Sequence, residues 1–364
     1  MVTQSAAMSV ALQKPAPENG AHSAFPNWRA YHIFYHGDRA LLLRELVQPV
    51  LSNAIQDGLI DHFYFIRYAL GGPHVRLRWR TKDHTAAKSA DMRLEAATEG
   101  FFSRYPSTVS LNEEKIRNTN RSLLSVDTVA NQEDDRVYAD NSWHASPPLF
   151  EFDRYGGVEN FQHSLDLFCV SSAATLELLR EQGNAAPGWE RASIMRQWLR
   201  MAFGLAKDGD EFLECVDYGN DFFAGQLQRC AEEGEAVFSR NGDGVSAIVS
   251  RELQQLSSGD GRKALIAQCA TIVASRVATV AEGPRRHILQ SHMHMAANRL
   301  GLTNPVEVYL SRMLTCAVRR YRTQNAEQWD DLWRRHASVD RDPQGDELVS
   351  SALKLVAAQG ASAR

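Results

Sequence analysis

The chain has little cysteine: five in 364 residues, at positions 169, 215, 230, 269 and 316, odd in number and without a CxxC pair. That pattern excludes a disulfide framework and a thiolate zinc cluster, and it reads as reduced core residues of a cytoplasmic protein. Long apolar runs are also missing, none approaching the ~20 residues a membrane-spanning helix needs. Neither sign of charge dominates, with 40 Lys+Arg against 44 Asp+Glu and a formal net charge of -4. Nothing therefore draws the whole chain to nucleic acid or membrane, and any anion binding must be local. GxSxG, Walker A and HExxH strings are absent, which removes the motifs of serine hydrolases, nucleoside triphosphatases and zinc proteases. Gly242 to Ala247 fits a GxGxxA string but follows no strand, so it reads as an interhelical turn rather than a dinucleotide site.

What is present is an ordinary globular composition, 44% hydrophobic and 23% charged, enough for one or two domains. One stretch organises the rest: Gly71-Gly72-Pro73-His74-Val75-Arg76-Leu77-Arg78-Trp79-Arg80. Period-two alternation puts His74, Arg76, Arg78 and Arg80 on one face of a strand and Val75, Leu77 and Trp79 on the other. Guanidiniums on alternate residues repel unless water or an anion lies between them. The apolar, aromatic run Asp61 to Leu70 and the Gly-Gly-Pro turn make a hairpin that a sheet would cover. Two readings stay open, a solvated strand and an anion-binding cleft.

Taken in order, residues 1–25 read as a disordered leader rich in Ala, Ser, Pro and Gly. Trp28 to Tyr35 is a strand, and Asp38 caps a helix carrying Leu42, Leu46, Val50 and Ile55. Asp83 caps another that stops before Tyr105-Pro106. Short strands and long loops are expected over 107–148, then a short strand from Leu149 ended by Gly156-Gly157. From Val158 helical periodicity dominates. The fold class is α+β, a mainly antiparallel sheet in the N-terminal half packed with a helix-rich C-terminal half. The expected organisation is a single domain, 26–338, with a sheet-bearing part 26–157 and a helical part 158–338. Residues 339–364 are expected to form a loose tail with a short helix.

The most informative helix runs from Arg285 to Gly301. His287, Ser291 or Gln290, His294 and Asn298 share one polar stripe, while His292 and Arg299 lie on another side. The stripe reads either as a solvent face or as one wall of a site. A metal centre is disfavoured because His292 and His294 point apart.

Phe65-Ile66-Arg67-Tyr68, Gly72-Pro73-His74-Val75-Arg76-Leu77-Arg78, Glu151-Phe152-Asp153-Arg154-Tyr155-Gly156-Gly157 and His294-Met295-Ala296-Ala297-Asn298-Arg299-Leu300-Gly301 occur in that order. Together they resemble the C-terminal elimination domain of class I lantibiotic dehydratases, which also occurs as a stand-alone thiopeptide-type bacteriocin biosynthesis protein. The likeness runs from about Trp28 to Arg335. It implies a lyase that removes glutamate from glutamylated Ser or Thr of a ribosomally made precursor peptide, leaving dehydroalanine or dehydrobutyrine. The ester would come from a separate glutamyl-tRNA-dependent dehydratase subunit. The implied catalytic residues are Arg78, Arg154 and His294, with His74, Arg76, Arg67, Asn298 and Arg299 as substrate-binding candidates. β-Elimination needs a base, stabilisation of enolate-like charge and a hold on the glutamate carboxylate, and arginines and a histidine suit those tasks. No cofactor or metal is implied, nor direct contact with nucleic acid or membrane, and a homodimer is allowed. Two alternatives stay open. Pyridine synthases on the same fold join two dehydroalanines and expel the leader peptide, but tend to lose the arginine corresponding to Arg154. A non-catalytic peptide-binding subunit would not need Arg76, Arg78, Arg154 and His294.

Overall fold

The computed structural model describes residues 25–126, 136–181, 189–223, 225–278, 280–337 and 345–361. The first 24 residues, most of the expected leader, lie outside them. Strands β1 (Trp28–Phe34), β2 (Ile60–Tyr68), β3 (His74–Thr81) and β4 (Ser142–Ser146) pair antiparallel in the order β2-β3-β1-β4. The β2–β3 hairpin turns through Gly71 and Gly72 at φ +79° and +121°, backbone that side-chain-bearing residues rarely adopt.

Alternation along β3 divides the sheet as its sequence requires. Val75, Leu77 and Trp79 are buried with Tyr31, Ile33, Phe63 and Phe65 in the main core, each such side chain contributing roughly 1.5–3 kcal/mol. Facing them are α1 (Arg39–Leu42), which passes through a π turn at Leu43–Val47 into α2 (Gln48–Gln56), and α3 (His84–Arg104). Asp38 and Asp83 cap these helices, accepting hydrogen bonds from the Ala40 and Ala86 amides, both at 2.8 Å.

Three segments differ from the sequence expectation. A helix, α4 (Glu113–Val126), stands where loops were expected. Asn112 accepts from the Lys115 amide at 3.1 Å, and the helix docks through buried Ile116 and through Asn120, which accepts from the Gly71 amide at 2.9 Å. Residues 149–157 form no strand. Asp153–Tyr155 is a 3-10 turn, because Phe150, Phe152 and Tyr155 enter one cluster at spacings of two and three that a strand could not satisfy. The third segment is the C-terminus, where residues 338–344 lie outside the described set.

The helical half comprises α5 (Val158–Glu181), α6 (Trp189–Leu205), α7 (Gly209–Val216), α8 (Tyr218–Phe222), α9 (Gln228–Asn241) and α10 (Asp243–Ser258), then α11 (Leu265–Arg276), α12 (Glu282–Leu300), α13 (Asn304–Gln324) and α14 (Ala326–Ala337). It ends in α15 (Gly345–Ala361), a helix of 17 residues in the stretch expected to be a loose tail with a short helix. Leu348, Val349, Ala352 and Val356 of α15 join the main core, and Ser52 donates to the Ala357 carbonyl at 3.0 Å. The whole is α+β. β2, apolar on both faces, is an edge strand whose cover comes from α5 and α12. Its outward backbone is met by side chains: Ser172 accepts from the Phe65 amide at 3.3 Å, and Asn298 exchanges two hydrogen bonds with the Arg67 backbone at 2.9 and 2.8 Å. That arrangement closes an edge otherwise open to another strand.

Candidate functional site

The arginine face of the sheet is covered, so the row is not a solvated strand. Trp28, Tyr64, Phe150, Phe152, Tyr155, Phe161, Leu165 and Phe168 form a second apolar cluster over it. Each arginine meets this burial differently. Arg80 is half-buried and pairs with Asp61 at 2.7 Å. Arg76 lies 3.6 Å above the Tyr68 ring and donates through Nε to His74 Nε2 at 3.2 Å. His74 Nδ1 donates to the Gly72 carbonyl at 2.9 Å, so the ring is neutral, and burial and then Arg76 hold its pKa well below the ordinary value. Arg78 is 7% exposed, donates Nη1 to Tyr64 Oη at 2.7 Å and leaves Nε without a partner. Among the described residues it forms no ion pair, so it carries an uncompensated charge into the protein.

The helix α12 brings the distant motifs together. Arg154, on the 3-10 turn, donates Nε to Ser291 Oγ at 3.1 Å and Nη1 to Glu151 at 3.4 Å. One turn along the helix, His294 Nδ1 lies 2.9 Å from Glu307 Oε1. Both residues meet one ring, the Arg154 guanidinium 5.6 Å and the His294 imidazole 4.7 Å from the centre of Phe222. Arg78 is connected to the Arg154 turn through Tyr64, whose ring contacts Phe168, which in turn contacts Tyr155.

The polar stripe of α12 faces neighbours: Ser291 meets Arg154, His294 meets Glu307, and Asn298 meets the Arg67 backbone. His287 is exposed and stacks on Phe222. Arg67 donates Nε to the Arg299 carbonyl at 3.1 Å, and burial lowers its pKa to about 10. It lies across Gly301 (φ +84°), where a Cβ would come within 2.7 Å of the guanidinium. Arg67 and Asn298 thus fasten α12 to β2. Arg299 is 1% exposed, donates Nε to Ser172 at 3.1 Å and sits 4.9 Å from the Phe168 ring centre with Nη2 unpartnered. Burial lowers its pKa to about 10. His292 packs on Tyr155 and Phe168 beside Ser164, and burial, Arg299 and Arg154 push its pKa down to about 3.

Sequence reasoning missed Glu307 and Tyr218. Glu307 is fully buried, and Tyr218 Oη donates to its Oε1 at 2.6 Å. The available signal was a glutamate in register with Ser311, Leu314, Val318 and Tyr321 on the buried face of α13. Among the described residues no group of three or more His, Cys, Asp or Glu side chains could hold a metal ion, and no helix is long and apolar enough to cross a membrane. A cavity of about 260 Å³ opens elsewhere, at the outer end of β3, lined by residues including Phe25, Trp28, Asp61, Arg80 and Lys82. Its Arg80 is already neutralised by Asp61, and none of its walls belongs to α12.

Fold and motifs together define a peptide-modification domain of the lantibiotic dehydratase type. The family described as lantibiotic biosynthesis dehydratase C-term matches residues 28–318, and the chain belongs to it. Membership places the chain in the biosynthesis of ribosomally made, post-translationally modified peptides. Among solved structures, the pyridine synthase TbtD from thiomuracin biosynthesis aligns with a TM-score of 0.63 at 17% identity, covering 81% of this chain and 98% of TbtD. The tRNA-dependent lantibiotic dehydratase MibB from Microbispora sp. 107891 aligns with a TM-score of 0.52 at 18% identity, covering 83% of this chain and 29% of MibB. At such identities the likeness concerns the fold. No curated protein matches the sequence.

Proposed function

We propose that this protein removes glutamate by β-elimination from glutamylated Ser or Thr of a precursor peptide, leaving dehydroalanine or dehydrobutyrine. The observation that carries the reading is the meeting of the Arg154 guanidinium and the His294 imidazole on the Phe222 ring. A proton acceptor beside a permanent cation is what elimination α to a carbonyl needs: His294 takes the Cα proton while Arg154 stabilises the charge spreading onto the amide oxygen. The C–H electrons form the Cα=Cβ bond, the Cβ–O bond breaks, and glutamate leaves as a carboxylate. Arg78 adds an uncompensated positive charge that draws the glutamyl group toward the sheet. The glutamyl ester would be made by a separate glutamyl-tRNA-dependent dehydratase subunit.

The test is intact-peptide mass spectrometry on the precursor peptide after glutamylation by that subunit. Conversion of the ester to dehydro residues supports elimination. An untouched ester, together with conversion of a peptide already carrying dehydroalanines into a macrocycle with loss of its leader, replaces this reading with pyridine synthesis.

A further inference from the structure

We infer that Glu307, backed by Tyr218, is the positioning residue that reserves Nδ1 of His294 and confines proton transfer to Nε2, so that His294 enters the reaction as a base. The inference rests on the elimination reading for its chemistry but not for its geometry. Glu307 has no exposure to solvent, while the His294 side chain keeps 15% of its surface exposed. The buried carboxylate accepts from Tyr218 Oη at 2.6 Å and from His294 Nδ1 at 2.9 Å. Tyr218 is itself buried, and burial and then the adjacent carboxylate raise its pKa well above the ordinary value, so it stays a donor. A phenol O–H and an imidazole nitrogen thus meet one buried carboxyl group that water does not reach, which gives its oxygens the partners burial would otherwise deny them.

This geometry decides what His294 can do. Both the neutral ring and the imidazolium present Nδ1–H to Glu307, so the protonation state can change only at Nε2. In the neutral form Nε2 carries a lone pair, which suits it to accept the Cα proton. The imidazolium that results is held against a buried negative charge. After the Cβ–O bond breaks, Nε2–H returns its proton to solvent or to the departing carboxylate, and the ring is restored. Phe222 and Phe223 flank the imidazole, with ring centres at 4.7 and 5.7 Å, and limit its freedom to turn.

The test separates geometry from chemistry. In protein labelled with nitrogen-15 at histidine, the His294 signals are assigned by their loss in His294→Ala, without substrate. Wild type should show a single neutral tautomer with Nδ1 protonated, and Glu307→Ala should lose that preference. A wild-type ring protonated at Nε2 overturns the inference whatever the enzyme does. With glutamylated peptide, Glu307→Gln keeps the volume and an acceptor but removes the charge. It should lower the elimination rate by roughly a hundredfold, within the range general base catalysis supplies, and move the acidic limb of the pH–rate profile to lower pH. A Glu307→Gln protein that folds as wild type, with the same rate and profile, would also overturn it. Tyr218→Phe, which leaves the His294–Glu307 contact in place, should give an intermediate loss. If the tautomer is as stated and wild type performs no elimination, the proposed function fails and the positioning geometry stands.

Discussion

Replacing Arg78 with methionine should cost little or no stability, should raise stability when Tyr64 becomes phenylalanine as well, and should make the protein less active. Arg78 stands near the middle of β3, 7% exposed, with Nε unpartnered and no carboxylate paired with it among the described residues. Holding an unpaired ion away from water costs several kcal/mol even after relaxation. Methionine fills most of the same volume without that cost. The change strands Tyr64 Oη, which accepts the Arg78 hydrogen bond at 2.7 Å, and a buried unsatisfied hydroxyl costs ~1–3 kcal/mol. Arg78→Met alone should therefore lie near neutral or a little above wild type. The double variant Arg78→Met/Tyr64→Phe, which removes both groups, should gain about 1–4 kcal/mol. Urea unfolding reads this as a higher midpoint at unchanged slope. Free glutamate should raise the wild-type midpoint by linkage and leave the double variant where it was. The same variant should lose elimination activity by on the order of a hundredfold or more, as a missing preorganised charge donor does. If the double variant unfolds at clearly lower urea, Arg78 is compensated in a way the buried geometry does not contain and the argument is wrong.

Arg154→Ala should leave the unfolding midpoint within about 1 kcal/mol, since its ion pair with Glu151 is part-exposed at 3.4 Å, and the glutamyl ester should accumulate in mass spectra; rapid turnover would remove Arg154 from the chemistry. His292 and His74 are buried with lowered pKa values, so their contribution to stability is complete above the unfolded value of about 6.5 and is lost as pH falls toward their folded values. Each contributes a slope of up to ~1.4 kcal/mol per pH unit. His292→Gln should flatten the midpoint-against-pH curve between about pH 6 and 4 by one proton's worth, and an unchanged slope would show that His292 titrates normally. His62, raised by its bonds to Asp166 and Asp61 against the cost of burial, works in the opposite sense: its contribution is present below about pH 6.5 and fades as pH rises through its folded value. Gly301→Ala should cost about 1–3 kcal/mol through positive φ and the clash with Arg67, and should slow catalysis by loosening α12; a variant as stable as wild type would contradict this.

The sheet was legible where alternation and capping act locally. Val75, Leu77 and Trp79 pointed into a core, and Asp38 and Asp83 marked helix starts, because each signal needs only neighbouring residues. What covered the arginine face was not legible, because the aromatic residues over it come from four separate stretches, at Trp28, at Tyr64, from Phe150 to Tyr155, and from Phe161 to Phe168. The turn at Asp153–Tyr155 was read as a strand for the same reason: its aromatics answer to a tertiary cluster and not to a period. The resemblance supplied Arg154 and His294 but not Glu307. A carboxylate 13 residues from its histidine, across a helix break, is visible only when α12 and α13 are seen side by side.

The helix α12 explains why candidate site residues and plain packing residues are interleaved along one motif. Its 3.6-residue turn places Ser291 and His294 toward Arg154 and Glu307, and it sends His292, Met295 and Arg299 toward the aromatic cluster on the sheet. At its end, Asn298 and Gly301 grip Arg67 of β2. The position of His294 is therefore set from both sides, by the carboxylate of α13 and by the strand that Asn298 holds. A shift of α12 by one residue would turn His294 by about 100° and carry it off both partners. The Asn298–Arg67 clasp and the Gly301 close approach oppose that slip, so these packing residues bear on where His294 stands.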